Sequence, residues 1–217
     1  MQTRRDWLRS SLGIGGLLLA PPSILSAQEK SDFQPRSLDP VIRLSSNENP
    51  YGPSNRVQER IKNSFIHGCR YPYAYSDNLA EQLAIKHGVS PESIIITGGS
   101  TEGLRITGLT FASNGGEIIS GQPTFLAMMT YAEQWGASIN WVPVGADKGY
   151  DLDEMEKRIS SKTKLIFLCN PNNPTGTLVP AKKLVDFCDS ASKKAIVFSD
   201  EAYYDFIETP NYPSMIE

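Results

Sequence analysis

From Ser90 onward the chain alternates short apolar runs with amphipathic stretches, and this alternation limits its fold more than any other feature. The runs SIIIT (93–97), GEIIS (116–120), ASINWVPV, TKLIFLC and AIVFS (195–199) are rich in β-branched and aromatic residues and read as strands. Between them STEGLRITGLTFA reads as a helix entered from Gly98-Gly99, and TFLAMMTYAEQW as one closed by Gly136. Asp151 caps LDEMEKRIS, and Pro180 lies near the first turn of PAKKLVDFCDSASKK. Strands joined by helices return in parallel. The pattern therefore predicts an α/β fold, a mainly parallel sheet covered on both faces.

The preceding residues are organised differently. Ser54 is placed to cap a helix with Val57, Ile61 and Phe65 on one face. After the aromatic stretch RYPYAYS, Asp77 starts a second helix, with Leu79, Ala80, Leu83 and Ala84 inward and Gly88 as its stop. Residues 28–52 read as an extended, proline-broken arm, and residues 53–217 as one domain. The first 27 residues pair Arg4 with Arg5 ahead of LGIGGLLLA and a small residue, Ala27, where cleavage is expected. This matches a twin-arginine export signal, so a periplasmic or extracellular location is expected. The apolar run is shorter than the ~20 residues that span a bilayer, so no stable membrane insertion is expected after its removal.

Composition narrows the function classes. A net charge of −3, with no basic block outside the first ten residues, argues against a nucleic-acid partner. Cys69, Cys169 and Cys188 form no Cys-x-x-Cys pair, and His67 and His87 lie in polar helical contexts, so neither a disulfide framework nor a metal site is expected.

Three loops follow predicted strands: GGSTEG, NPNNPTG and DEAYYDF. Ligands of open parallel sheets sit beyond the carboxyl ends of the strands, so all three are expected to open onto one site. Gly99, Ser100 and Thr101 at a helix entrance are suited to a phosphate, through free N–H groups and hydroxyls, or equally to a plain helix cap. Asp200 ends a buried strand and needs a cationic or proton-donating partner. A nucleotide hydrolase would need a G-x-x-x-x-G-K-[ST] loop, which the chain lacks, and no G-x-G-x-x-G loop is present. The expected ligand carries a phosphate, a protonated ring nitrogen and an oxygen.

NPNNPTG ahead of DEAYYDF, with LSSNENPYGPS, RYPYAYSDNLAEQLA and QPTF in order, resembles the fold-type-I pyridoxal-phosphate aminotransferases of class I/II. Within them the likeness is greatest to the branch that contains histidinol-phosphate aminotransferases, and it runs from residue 40 to 217. The resemblance implies a three-layer αβα large domain that binds pyridoxal 5'-phosphate. It assigns Asn173 and Tyr203 to the cofactor's phenolic oxygen, Asp200 to its pyridinium nitrogen, and Gly99, Ser100 and Thr101 to its phosphate. Phe125 would stack on the ring and Asn47 would cover the substrate. Tyr71 would reach the phosphate of a neighbouring subunit, which implies a homodimer. Asn170 and Asn172 read as turn formers, and Tyr204 as a half-buried aromatic. The Schiff-base lysine is expected beyond Glu217, so no catalytic residue is assigned within the chain, and the 217 residues alone are expected to be inactive. The implied reaction moves an amino group between an amino acid, or an amine like one, and a keto acid. A lyase or decarboxylase of the same fold, or an exported cofactor-binding protein without catalysis, are the alternatives.

Overall fold

The computed structural model describes residues 45–216; the twin-arginine segment and the arm up to residue 44 lie outside the described residues. Two compact units divide after Gly68. In the first, residues 45–52 form turns, as the asparagine-, proline- and glycine-rich run SSNENPYGPS favours. Ser46 and Asn47 hold φ of 70° and 51°, and the Gly52 N–H donates to the Asn49 carbonyl at 3.2 Å. Helix α1 (Asn55–Ser64) begins as expected, with the Ser54 hydroxyl accepting the Val57 N–H at 3.4 Å. No residue of α1 is buried, and its Val57, Ile61 and following Phe65 are exposed.

The second unit starts with helix α2 (Tyr73–His87), one turn ahead of the expected start at Asp77. The Pro72 carbonyl accepts the Tyr75 and Ser76 N–H groups, both at 2.9 Å, so the first turn closes there and Asp77 falls inside the helix. Gly88 stops it in the left-handed conformation at φ 67°, as expected. Of the expected inward face, Ala84 is buried, Ala80 and Leu83 are half-buried, and Leu79 is exposed.

The sheet holds β1 (Glu117–Gln122), β2 (Ser138–Pro143), β3 (Thr163–Cys169) and β4 (Ile196–Asp200). Their order is β2-β1-β3-β4 and every pairing is parallel. The crossovers are helices α3 (Ser100–Ala112), which leads into β1, α4 (Ala127–Glu133), α5 (Leu152–Lys157) and α6 (Ala181–Ala191). Among the described residues the expected strand at 93–97 does not form. Pro91–Ser93 is instead a 3-10 turn capped by the Ser90 hydroxyl, and Ile94 is extended without a ladder partner. An extended segment becomes a strand only where a neighbour takes its hydrogen bonds, and none of the described residues does so here. Helix α4 is shorter than its apolar pattern, so Thr124 and Phe125 lie in the loop after β1.

Successive residues of a strand face opposite sides, and the core follows that rule. Ile118, Leu165, Phe167 and Cys169 pack with Leu104, Met128, Met129 and Ala132 beneath α3 and α4. Ile119, Ile166 and Leu168 pack on the other face with Leu152, Met155, Leu184 and Phe187 beneath α5 and α6. The result is helix, sheet, helix: the three-layer αβα architecture. Phe167 is fully buried at the sheet centre, with the Phe198 ring 5.8 Å away, whereas Phe206 is 79 % exposed. Phe167→Ala is expected to lower unfolding free energy by about 3–5 kcal/mol, and Phe206→Ala by no more than about 0.5 kcal/mol. Urea denaturation of the two variants checks the difference.

Candidate cofactor site

The carboxyl ends of β3 and β4 finish side by side. Cys169 is the register partner of Asp200, and one residue on the Asn170 N–H still reaches the Asp200 carbonyl at 2.9 Å. Asp200 is 9 % exposed, and its carboxylate accepts the Ala202 N–H at 3.2 Å. No lysine, arginine or histidine among the described residues forms an ion pair with it. Burial pushes its carboxyl group above the ordinary range; the Ala202 N–H opposes that shift and the Glu201 charge adds to it. A buried carboxylate so placed favours a cation or an N–H donor arriving from outside the chain.

On the loop after β3, the Asn173 amide points to the Tyr203 hydroxyl, with Nδ2 and Oη 3.5 Å apart. Tyr203 is half-buried just past β4, next to Phe206. Phe125 and Asn173 line a cavity of about 530 Å³ with Thr124, Arg105, Tyr131 and Pro174. Ser100 and Asp200 line a second cavity, of about 400 Å³, with Thr97 and Phe198. Thr101 and Gly98 line a third, of about 450 Å³, with Arg105 and Tyr131. Arg105 thus borders both the Thr101 cavity and the Phe125–Asn173 cavity, with its guanidinium 5.5 Å from the Tyr131 ring centre.

Gly99 precedes α3 at φ 96° and ψ 158°, a backbone shape reserved for glycine, and open space lies where a Cβ would project. The Glu102 carboxylate accepts the Gly98 N–H just ahead of the helix, and no side chain caps α3. The Ser100 and Thr101 hydroxyls, both exposed in the first turn of α3, make no hydrogen bond within the described residues. An anion is accommodated there without displacing a cap.

One expected site residue of this unit stands apart from the group. Tyr71 is 81 % exposed, stacked on Tyr73, and lines none of the three cavities. Asn47 belongs to the first unit.

The neighbouring asparagines do more than turn the chain. Asn170, 2 % exposed, donates to the Tyr212 hydroxyl at 2.8 Å and accepts the Val179 N–H at 2.9 Å. Asn172, also buried, accepts from Thr124 and Tyr150 and donates to the Pro123 carbonyl and the Thr175 hydroxyl. Reading them as turn formers was incomplete, because a buried carboxamide needs hydrogen-bond partners and several of these come from far along the chain. Tyr204, half-buried as expected, donates its hydroxyl to the Tyr212 carbonyl at 2.6 Å. Cys169 adjoins the site, but burial lifts its thiol to about 11, which keeps it protonated and unreactive. Among the described residues no cluster suited to a metal ion occurs, and no helix is long and apolar enough to cross a membrane.

Adjoining ends of the parallel strands thus carry a carboxylate and an amide–phenol pair, and Ser100 at the glycine-opened start of α3 borders the same cavity as Asp200. The chain belongs to the aminotransferase class I and II family, which matches residues 39–215. It is 35 % identical over 179 residues to histidinol-phosphate aminotransferase 1 of Bacillus cereus, covering 82 % of this chain and 48 % of that protein. It is 37 % identical over the same length to the histidinol-phosphate aminotransferase of Caldicellulosiruptor saccharolyticus, covering 82 % and 50 %. The crystal structure of histidinol-phosphate aminotransferase from Sinorhizobium meliloti in complex with pyridoxal-5'-phosphate shares the fold. Its TM-score is 0.69 at 24 % identity, covering 74 % of this chain and 44 % of that one. The chain spans about half the length of the curated relatives it matches.

The raised carboxyl of Asp200 has a measurable consequence. Its folded value lies above its unfolded value, so the native state holds the extra proton between the two. Stability is therefore expected to fall as pH rises through that window, from the ordinary carboxylate range upward. Asp200→Asn removes the ionisation and should flatten the slope, as read by urea midpoints across acidic pH.

Proposed function

We propose that this chain is the cofactor-binding part of a pyridoxal-phosphate-dependent aminotransferase that moves nitrogen between an amino acid, or an amine like one, and a keto acid. The similarity to histidinol-phosphate aminotransferases favours an amine that itself carries a phosphate. The observation that carries the reading is Asp200: a buried carboxylate, bordering a cavity, with no cation of the described chain paired to it.

Pyridoxal phosphate, when bound, supplies a ring that takes up the electron pair left next to the amine nitrogen when a proton departs. The chain's residues keep that ring ready. Asp200 holds the proton on the ring nitrogen, and its buried setting strengthens the pairing because little water competes. Asn173 and Tyr203, already within reach of each other, present an amide N–H and a hydroxyl to the phenolic oxygen. The helix start at Gly99, Ser100 and Thr101 receives the phosphate, and Phe125 covers one face of the ring. Tyr71, exposed on the surface of its unit, reaches the cofactor of a second subunit in a homodimer, and Asn47 covers the substrate.

Pyridoxamine 5'-phosphate is the suitable probe, because it has no aldehyde to react with surface lysines. Titration of the chain followed by calorimetry should show one site, and Asp200→Ala should weaken binding at least tenfold. Equal affinity in wild type and Asp200→Ala would sink the reading. In a protein of the relatives' full length that carries this chain, amine consumption is expected to depend on an added keto acid; amine loss without one points to a lyase or decarboxylase instead.

The twin-arginine segment makes export part of the proposal, and a cofactor-loaded protein suits a route that carries folded cargo. Replacing Arg4 and Arg5 together with lysine should hold the protein in the cytoplasm on cell fractionation; unchanged export contradicts the assignment.

A further inference from the structure

Tyr150 is a residue that the proposed chemistry does not use, yet its hydroxyl lies at the centre of a buried network. The oxygen is 2.7 Å from Asn172 Oδ1, 2.9 Å from Thr124 Oγ1 and 3.2 Å from the Cys169 carbonyl. It also receives the Cys169 N–H at 3.3 Å. Asn172 completes the arrangement. Its Oδ1 also accepts from Thr124 at 2.9 Å, and its amide nitrogen donates to the Pro123 carbonyl at 3.1 Å and the Thr175 hydroxyl at 2.8 Å. Both lone pairs and both protons of that carboxamide are in use, so no other side chain of similar size replaces it. The tyrosine ring lies directly on β1: a Cβ on Gly121 would stand 2.2 Å from Tyr150 Cε1 and 2.3 Å from Cδ1. The strand carries glycine there because the ring occupies the place of a side chain.

The placement in sequence is telling. Thr124 immediately precedes Phe125, and Asn172 immediately precedes Asn173. Phe125 and Asn173 come from different loops and line one cavity of about 530 Å³. We infer that Tyr150, Thr124 and Asn172 form a positioning unit that sets the separation of Phe125 and Asn173, and so the width and tilt of the slot that receives the pyridine ring. This rests on the cofactor reading above. The three residues touch each other and the backbone rather than the ring, and they act through their neighbours. Burial lifts the Tyr150 hydroxyl to about 12, so it remains protonated, with a hydrogen to donate, at every pH at which the protein works.

The test uses pyridoxamine 5'-phosphate with the full chain and three variants: Tyr150→Phe, Thr124→Val and Thr124→Ser. Two quantities are read: the dissociation constant by calorimetry, and the circular dichroism of the bound ring, which reports its orientation. Tyr150→Phe and Thr124→Val each delete a hydroxyl with little change of shape, and each should weaken binding roughly tenfold and alter the dichroism per bound ring. Thr124→Ser keeps the hydroxyl and should preserve both within about twofold. Wild-type affinity and dichroism in both Tyr150→Phe and Thr124→Val overturn the inference while leaving the cofactor reading intact. Loss of folding in either variant also overturns it, since the network would then serve the fold and not the slot. Wild-type protein that does not bind the probe, or an Asp200→Ala variant that binds equally well, defeats the cofactor reading and the inference with it.

Discussion

Where β3 and β4 end together, Cys169 stands opposite Asp200 and the Asn170 N–H closes on the Asp200 carbonyl. This last rung of a parallel ladder carries a carboxylate into a place where water reaches it poorly. Apolar residues of both core faces hold the rung: Phe167 and Cys169 on one side, Ile166 and Leu168 on the other. β3 is buried along nearly its whole length, whereas β4 is only half-buried before Asp200, so the rung is anchored from the β3 side. Every other feature of the site is arranged around a group that the fold has made costly to leave unpaired.

The cost has a use. A ligand that brings a protonated nitrogen to Asp200 recovers part of the lost solvation, and binding stabilises the folded chain by mass action. The surrounding loops divide the remaining work. Glu102 ties back the Gly98 N–H before α3, and the Ser100 and Thr101 hydroxyls make no hydrogen bond within the described residues. Asn170 and Asn172 tie the NPNNPTG loop to Tyr212, Val179, Tyr150 and Thr124, so that Asn173 alone among its three carboxamides faces Tyr203. That division accounts for two of the loop's three amides as braces and leaves the third turned to the Tyr203 hydroxyl.

Much of this was legible in the sequence, and the reasons for success and failure are physical. Buried parallel strands need continuous apolar runs, so GEIIS, TKLIFLC and AIVFS were readable, and with them the position of Asp200 at a strand end. SIIIT has the same composition but no ladder among the described residues, because composition reports a wish for burial and not the presence of a neighbour. The start of α2 depended on a proline carbonyl rather than a side-chain cap, so Asp77 misled. The bracing roles of Asn170 and Asn172 were hidden for another reason. Their partners lie 42 residues away at Tyr212 and 48 at Thr124, and no local pattern marks such pairs. One faint signal was available: a glycine inside the buried strand β1, at Gly121, which hints at a large ring lying on the backbone there.

The central claim is that Asp200 exists to hold a proton on the nitrogen of an aromatic ring. Nitrogen-15 NMR of ring-labelled pyridoxamine 5'-phosphate bound to the chain reads that proton directly. A bound nitrogen that stays protonated well above the pH at which the free cofactor loses its proton, and that reverts to free behaviour in Asp200→Asn, is the expected result. A bound nitrogen that titrates like the free cofactor in the wild-type chain would contradict the claim.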